Sequence, residues 1–187
     1  MNMMYMRENV VLERDVQVER IPDGMPLTLP AGTLAVLTQA LGSAFTLAAE
    51  GHLVRLKGED ADAIGRAPPV SVAADVADPG ALTQSDFEEL VWRAMATCYD
   101  PEIPVDIVQL GLVYACEITP GTANAFDVHI VMTLTAPGCG MGEILTSEVQ
   151  EKIAALPRAG AVRVELTFDP PWGRERMSES ALLTLGL

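Results

Sequence analysis

The sequence predicts an α+β protein, with a small N-terminal β domain followed by a two-layer α/β sandwich. Residues 8–70 carry short runs of alternating apolar and polar side chains separated by turn residues, a pattern typical of a small barrel or sandwich. The rest of the chain carries segments with helical spacing and segments with alternating spacing, in the order α-β-β-α-β-α. Amphipathic elements of both kinds favour helices stacked on one face of a small mixed sheet.

A change in composition separates the two predicted domains. Residues 67–80 are rich in Pro, Ala, Val and Asp and contain two helix-breaking Pro segments. We therefore predict a small β-rich domain at residues 1–72, a linker at 73–81 and an α/β domain at 82–187.

Composition and charge exclude several classes of partner. A formal net charge of −14 argues against nucleic acid or an anionic membrane, because both are bound through Lys and Arg clusters that this chain lacks. There is no apolar run long enough to span a membrane, and residues 1–8 lack the basic-then-apolar pattern of a signal peptide. We expect a cytoplasmic protein.

The N-terminal domain is predicted to contain four strands and one helical turn. Gly65 is expected to stop the helical turn, and Pro/Gly turns at 22–24 and 30–32 separate the first strands. The strands are placed at 10–21, 33–38, 44–48 and 52–56, and the helical turn at 60–65.

The α/β domain begins with a well-marked helix. Thr83 precedes Asp86 by three residues, as in a capping box with Asp in place of Glu. One apolar stripe at helical spacing follows, and it consists of Phe87, Leu90, Val91, Ala94, Met95 and Cys98. Because Cys98 lies on this stripe, we expect it in the core.

Three carboxylates come together after this helix, at Asp100, Glu102 and Asp106, in a segment broken by two prolines. Carboxylates this close could act as acid and base or bind a hard metal ion. Asp residues in such segments are more often turn formers that bond to their own backbone. The sequence leaves both interpretations open and favours the structural one.

Two strands are predicted at 107–118 and 126–135, joined by a Pro-Gly turn into an antiparallel hairpin. Gly111 indicates a bulge or a close backbone approach, and Cys116 lies on a packed face. His129 falls on the polar face of the second strand, together with Asp127, Thr133 and Thr135.

The C-terminal part predicts a helical crossover, a third strand and a short helix. Apolar residues at helical spacing follow Gly140, and the strand at 161–168 is expected to run parallel to the preceding one. Its inward side chains are predicted to be Val162, Val164, Leu166 and Phe168. A rigid loop at 169–173 then leads to a helix capped by Ser178.

The third cysteine, Cys139, lies in a Pro-Gly-Cys-Gly turn between a predicted strand and a predicted helix. Free N–H groups at a helix N-terminus stabilise a thiolate and can lower the pKa of a cysteine. A lone cysteine is often only a small buried residue, but a Pro/Gly turn is a poor way to fill a core. Three cysteines without a Cys-x-x-Cys pair predict neither a disulfide framework nor a zinc ribbon.

Four segments together resemble a known family. Residues 100–114, 133–139, 168–172 and 176–178 are similar to the iron–sulfur cluster assembly domain found in SufT, in PaaD and at the front of Mrp-type carriers. Segments of the N-terminal domain around residues 21–24, 29–33, 38–42 and 62–65 resemble the SufT N-terminal module. There is no P-loop, so the ATPase half of the carriers is absent from this sequence.

The resemblance implies a non-enzymatic factor that helps assemble iron–sulfur clusters or deliver them to apo client proteins. By resemblance, Cys139 is the reactive thiol and a candidate metal ligand, with Thr135, Gly138 and Gly140 around it. It further implies that Asp100, Glu102 and Asp106 line the neighbouring loop. The expected cargo is a transient cluster or iron, and the expected partners are the assembly machinery and client proteins. A homodimer supplying further ligands stays open, because a cluster held within one chain normally takes more thiolates than this chain has.

Two alternatives stay open on the sequence. The first is a thiol enzyme with Cys139 as nucleophile and His129 as base. The second is an accessory subunit of the PaaD kind or a pure interaction module, although PaaD carries C-terminal cysteines and this chain has none after Cys139.

Overall fold

The computed structural model describes residues 7–100, 103–137 and 141–187. The chain divides into two compact units, one extending to Pro69 and the other beginning at Val70, with Ile103 and Pro104 grouped with the first. No helix within the described residues is both long and apolar enough to cross a membrane. Both units contain sheets and the second adds three helices, which confirms the predicted mixed class.

The first unit is a six-stranded antiparallel sheet followed by a 3-10 turn. The sheet order is β1-β4-β5-β6-β2-β3, and its apolar face encloses a core of Val, Leu, Ala and Phe side chains. The strands are β1 Glu8–Val11, β2 Val16–Ile21, β3 Pro26–Leu29, β4 Leu34–Leu41, β5 Ala44–Ala49 and β6 His52–Lys57.

The predicted strand at 10–21 is wrong in one respect, because the chain turns within it to give β1 and β2. Leu12 exchanges backbone hydrogen bonds with Thr33 and Gly32, and the Asp15 carboxylate accepts the Ala31 N–H at 2.8 Å. These contacts fold the segment against the turn before β4 and interrupt the alternation. β3 was not predicted, since four residues beginning with Pro carry little periodicity. The helical turn at Gly58–Ile64 is 3-10, and Gly65 stops it with φ +67°.

The second unit is a three-stranded mixed sheet with helices. Its strands are β7 Val113–Pro120, β8 Phe126–Met132 and β9 Ala159–Leu166, and its helices are α1 Gln84–Met95, α2 Met141–Ala154 and α3 Glu179–Leu185. β7 pairs antiparallel with β8, whereas β9 pairs parallel with β8 after the crossover through α2, as expected. Short 3-10 turns lie at Val72–Asp75, Pro79–Ala81 and Arg174–Arg176.

The start of α1 confirms the predicted capping box. The Thr83 hydroxyl accepts the Asp86 N–H at 3.2 Å, and the Asp86 carboxylate accepts the Thr83 N–H at 2.9 Å. The predicted apolar stripe is buried, and the ring of Phe87 stacks on that of Phe126 with centroids 4.9 Å apart. Cys98 is fully buried, as expected.

Three details of the sheet differ from expectation. The strand predicted from residue 107 begins at Val113, because residues 107–111 form a turn. The strand predicted to residue 135 ends at Met132, and Thr133 is fully buried rather than exposed on a polar face. Phe168 is 40% exposed rather than inward, because β9 ends at Leu166, two residues before it.

Candidate functional site

The candidate site is the end of the mixed sheet where β8 and β9 both finish. Because these strands are parallel, their following loops leave from the same side, and β7, being antiparallel, begins there. We call this end the carboxyl edge, formed by residues 107–114, 133–137 and 167–178. Ligands of open sheets with parallel strands characteristically bind outside such ends.

Backbone hydrogen bonds join the three segments of the carboxyl edge. The Thr133 N–H donates to the Leu112 carbonyl oxygen at 2.8 Å, and the Thr167 N–H donates to the Met132 carbonyl oxygen at 2.8 Å. The Ser178 N–H donates to the Gln109 carbonyl oxygen, also at 2.8 Å. The segments identified by resemblance, which are distant in sequence, therefore meet in space.

Gly111 allows the closest of these approaches. Its φ is +68°, and a Cβ built there would lie 2.1 Å from the carbonyl oxygen of Arg176. No side chain larger than hydrogen fits without backbone movement. The close approach expected at this glycine is thus present, but in the turn before β7 rather than within a strand.

Two aromatic side chains fasten the loop after β9 to the start of β7. The Trp172 indole N–H donates to the Leu110 carbonyl oxygen at 2.9 Å, and the Tyr114 hydroxyl donates to the Pro170 carbonyl oxygen at 2.8 Å. The guanidinium of Arg176 lies over the Tyr114 ring, 4.3 Å from its centroid. The predicted rigid loop is therefore held by its own aromatic and by one from β7.

The described residues on either side of position 139 are anchored. Leu134 is buried, and a Cβ at Gly142 would lie 2.7 Å from its side chain. Met141 is buried at the first position of α2. Thr135 is half-buried, whereas Ala136 and Pro137 are exposed. The strand end and the helix start are therefore packed on each other around the loop that carries the thiol in the sequence.

Several predicted site residues lie outside the described residues. These are Glu102 in the carboxylate segment and Gly138, Cys139 and Gly140 in the loop between β8 and α2. Their assignments stay predictions.

Asp106 has the structural role that turn chemistry favours. The residue is 2% exposed, and its carboxylate accepts the N–H groups of Val108 and Gln109 at 3.0 and 2.9 Å and the Gln109 side-chain amide at 2.6 Å. Burial, and secondarily the charge of Asp106, raises the pKa of Tyr99. Asp100 is half-buried. The acceptor capacity of Asp106 is thus largely used in shaping the turn that supports Gly111.

The other two thiols are poor nucleophiles. Cys98 is buried and its thiol lies 3.8 Å from the Ala94 carbonyl oxygen. Burial, with a smaller contribution from the charge of Glu88, raises the pKa of the half-buried Cys116 to about 11. A thiol with such a pKa is almost entirely protonated at neutral pH.

His129 lies among strand carboxylates. Its Nε2 is 3.4 Å from Glu165, its Nδ1 is 3.9 Å from Glu117, and its strand neighbour in β9 is Arg163. These groups lie on the middle of the sheet, three positions before β8 ends. Within the described parts of the chain, no group of three or more His, Cys, Asp or Glu side chains is placed to hold a metal ion.

The stacking of Arg176 on Tyr114 is a feature that the sequence did not predict. Both residues lie in segments identified by resemblance, but nothing in either segment signals their contact. Gly111 was the one available signal that another segment approaches this part of the chain, because a glycine inside a predicted strand indicates a bulge or a close backbone approach.

Residues 88–166 match the family model described as iron–sulfur cluster assembly protein. An Fe-S protein maturation auxiliary factor of Porphyromonas gingivalis is 40% identical over 99 residues, which cover 53% of this chain and 90% of that protein. The Fe-S protein maturation auxiliary factor YitW of Bacillus subtilis is 38% identical, over 54% of this chain and 95% of that protein. The corresponding factor SufT of Staphylococcus aureus is 36% identical, over 47% of this chain and 96% of that protein.

A solved structure of a domain of unknown function, DUF59, from Bacillus anthracis is 36% identical over 56% of this chain and 95% of that chain, with a TM-score of 0.48. These relatives correspond to about half of this chain. The likeness of residues 1–72 to a SufT module therefore stays a prediction.

Proposed function

Because this chain belongs to the iron–sulfur cluster assembly family as a SufT-type maturation factor, we propose that it helps assemble clusters or deliver them to client proteins through Cys139. The observation that carries the proposal is the carboxyl edge itself. There, the described parts of the segments from the second unit that resemble the family converge, and the flanks of the Cys139 loop are packed on each other.

The chemistry follows from a thiol at the start of a helix. The unpaired N–H groups of the first turn and the helix dipole favour the thiolate, which is the form that binds iron and attacks other sulfur atoms. Cys98 is buried in the core, and burial raises the pKa of Cys116 on β7 to about 11, so Cys139 is the thiol of this chain that is suited to the task.

One thiolate cannot complete the coordination of a cluster, which normally needs several. In the proposed function the cluster or iron is a cargo, and the remaining ligands come from a client protein, an assembly protein or a second copy of this chain. A cargo with incomplete protein coordination is released more easily, which suits transfer rather than storage.

The surrounding residues divide by role. Thr135 supplies a hydroxyl beside the thiol, and Gly138 and Gly140 leave room for a partner to approach the sulfur. Asp100 and Glu102 are proposed to face the incoming partner. Asp106, whose carboxylate bonds to its own turn, acts as the support of that segment.

The proposed role is non-catalytic. The thiol-enzyme alternative requires His129 to reach Cys139, but the imidazole lies between Glu117 and Glu165 on the sheet. The names of the relatives, as maturation auxiliary factors, also support a helper rather than an enzyme.

Anaerobic reconstitution with iron and sulfide tests the proposal. We expect the native protein to gain the broad visible absorption of thiolate-bound iron–sulfur species, and the Cys139→Ala variant to gain none. Cys116→Ala is the matched control, since it also removes one thiol but should keep the absorption. Equal uptake by native protein and Cys139→Ala would refute the assignment.

A further inference from the structure

Arg176 is an exposed cation that the fold holds in place at the carboxyl edge. Its carbonyl oxygen lies against Gly111, and its guanidinium stacks on Tyr114 at 4.3 Å from the ring centroid. The hydrogen bond from Ser178 to Gln109 fixes the chain two residues later. Backbone and side chain are thus anchored independently, so the charge has a defined position.

The position of this charge relates it to the candidate site. Tyr114 lies in the irregular pairing of β7 with Val131 and Met132, the last residues of β8. Neighbouring strands are about 5 Å apart. The Tyr114 backbone therefore lies about one strand spacing from the end of β8, the strand that precedes the Cys139 loop in the sequence.

Arg176 also differs from most cations of this chain in that it forms no ion pair with a carboxylate within the described residues. Arginine side chains paired with carboxylates include Arg14, Arg20, Arg55, Arg66, Arg93 and Arg163. Within the described residues Arg176 has the Tyr114 ring as its partner and no ion pair. The neighbouring Glu175 carboxylate lies against the backbone of Gly173. Arg176 therefore keeps its charge for an incoming group.

A local positive charge can attract an anionic ligand to a protein whose overall charge is negative. With a net charge of −14, the chain repels anions at long range. Clusters coordinated by thiolates are commonly anionic, because the ligand charges exceed the charge of the iron–sulfur core. A fixed positive charge at the docking point offsets this repulsion and orients the encounter.

We infer that Arg176, stacked on Tyr114, is a binding residue that receives the negative charge of a thiolate-ligated iron–sulfur cluster at the carboxyl edge. The inference rests on the proposed function, since it assigns a recognition residue to the same site. Tyr114 is a positioning residue, which acts by holding the guanidinium.

Paired alkylating reagents of different charge test the inference directly. Iodoacetate and iodoacetamide both transfer their carbon to the sulfur and release iodide, but only iodoacetate is an anion. The alkylation rate at Cys139 is followed by mass spectrometry of the full-length protein. The ratio of the iodoacetate rate to the iodoacetamide rate cancels any difference in thiol pKa between variants, because both reagents react with the same thiolate. Removing a nearby unit charge in water slows an anionic reagent about twofold at low salt and leaves a neutral reagent almost unaffected.

We expect Arg176→Gln to lower the ratio about twofold, Arg176→Lys to retain most of it, and Tyr114→Leu to lower it partly. Arg163→Gln is the matched control, because it removes an exposed arginine that is already paired with Glu165, about three strand positions from the edge. It should change the ratio little. Added salt should narrow the difference in this ratio between the native protein and Arg176→Gln, because it screens the charge of the guanidinium.

The outcomes distinguish a failure of this inference from a failure of the proposed function. If Cys139 reacts quickly with iodoacetamide but the ratio is the same in native protein and Arg176→Gln, the inference is overturned and the proposed function stands. If Arg163→Gln lowers the ratio as much as Arg176→Gln, the effect belongs to overall charge and the inference is also overturned. A Cys139 that reacts no faster than free cysteine removes the proposed function and this inference with it.

Discussion

Replacing Gly111 with Ala tests whether the carboxyl edge is assembled as described. The new Cβ would lie 2.1 Å from the Arg176 carbonyl oxygen and 2.7 Å from its carbonyl carbon, both backbone atoms that cannot rotate away. The positive φ alone costs about 1–2 kcal/mol for a residue with a Cβ. Overpacking adds about 1–3 kcal/mol, and loss of the Ser178–Gln109 hydrogen bond adds about 1 kcal/mol. Together these contributions predict a loss of about 3–6 kcal/mol in the free energy of unfolding.

Gly186→Ala is the matched control for this substitution. Gly186 has nearly the same φ, +71°, but a Cβ there meets nothing within 4 Å. It should therefore show the backbone cost of about 1–2 kcal/mol without the overlap.

Urea unfolding followed by tryptophan fluorescence suits the comparison, because both tryptophans, Trp92 and Trp172, lie in the second unit. A difference of about 2 kcal/mol between the variants corresponds to about 8–16 °C in Tm for a domain of about 100 residues. If Gly111→Ala is no less stable than Gly186→Ala, the packing of this turn on the Arg176 segment is contradicted.

Three further predictions concern the surroundings of the site. Thr83→Ala should lower the free energy of unfolding by about 1 kcal/mol at neutral pH. The difference in stability between native protein and Thr83→Ala should narrow below about pH 4. The Thr83 hydroxyl and N–H lower the pKa of folded Asp86, so the stabilisation that they give is lost as the pH falls through this lowered pKa. Urea titrations at several pH values measure the difference. Asp106→Asn should destabilise the second unit by about 1–3 kcal/mol, because one amide oxygen cannot replace both carboxylate acceptors. The alkylation rate of Cys139 should change little. A large loss of this rate in a variant that stays folded would indicate a direct role of Asp106 at the thiol. Cys116 should resist iodoacetamide at pH 7 and become reactive only as the pH approaches its pKa of about 11, as mass spectrometry of a pH series would show.

Local patterns were sufficient where the structure is locally determined. The capping box and the apolar stripe predicted α1, because both signals lie within the helix and depend on its own periodicity. The helix at Glu179–Leu185 was predicted from its Ser178 cap for the same reason. Strand alternation likewise located β8, whose burial alternates along its length.

Local patterns failed where distant contacts decide. Residues 107–112 are mostly apolar, as in a buried strand, but Asp106 closes a turn there by accepting the Val108 and Gln109 N–H groups, so β7 begins later. Periodicity does not distinguish buried side chains of a turn from those of a strand. The break between β1 and β2 has the same origin, since the contact of Leu12 with Thr33 joins residues far apart in sequence.

The candidate site combines both cases. The choice of Cys139 rests on its Pro/Gly turn and on family resemblance, and it stays a prediction because residues 138–140 lie outside the described residues. The stacking of Arg176 on Tyr114 was not predicted, because it depends on the loop after β9 returning to the start of β7 through the Trp172 and Tyr114 hydrogen bonds.

Transfer of a cluster to an apo client protein tests the central claim most directly. Reconstituted native protein is mixed anaerobically with an apo-ferredoxin that ligates a [4Fe–4S] cluster, and the ferredoxin's recovered redox activity is measured over time. We predict rapid recovery with native protein and with Cys116→Ala, and with Cys139→Ala no recovery above that given by free iron and sulfide. Equal recovery with Cys139→Ala would contradict the claim that this thiol handles the cargo.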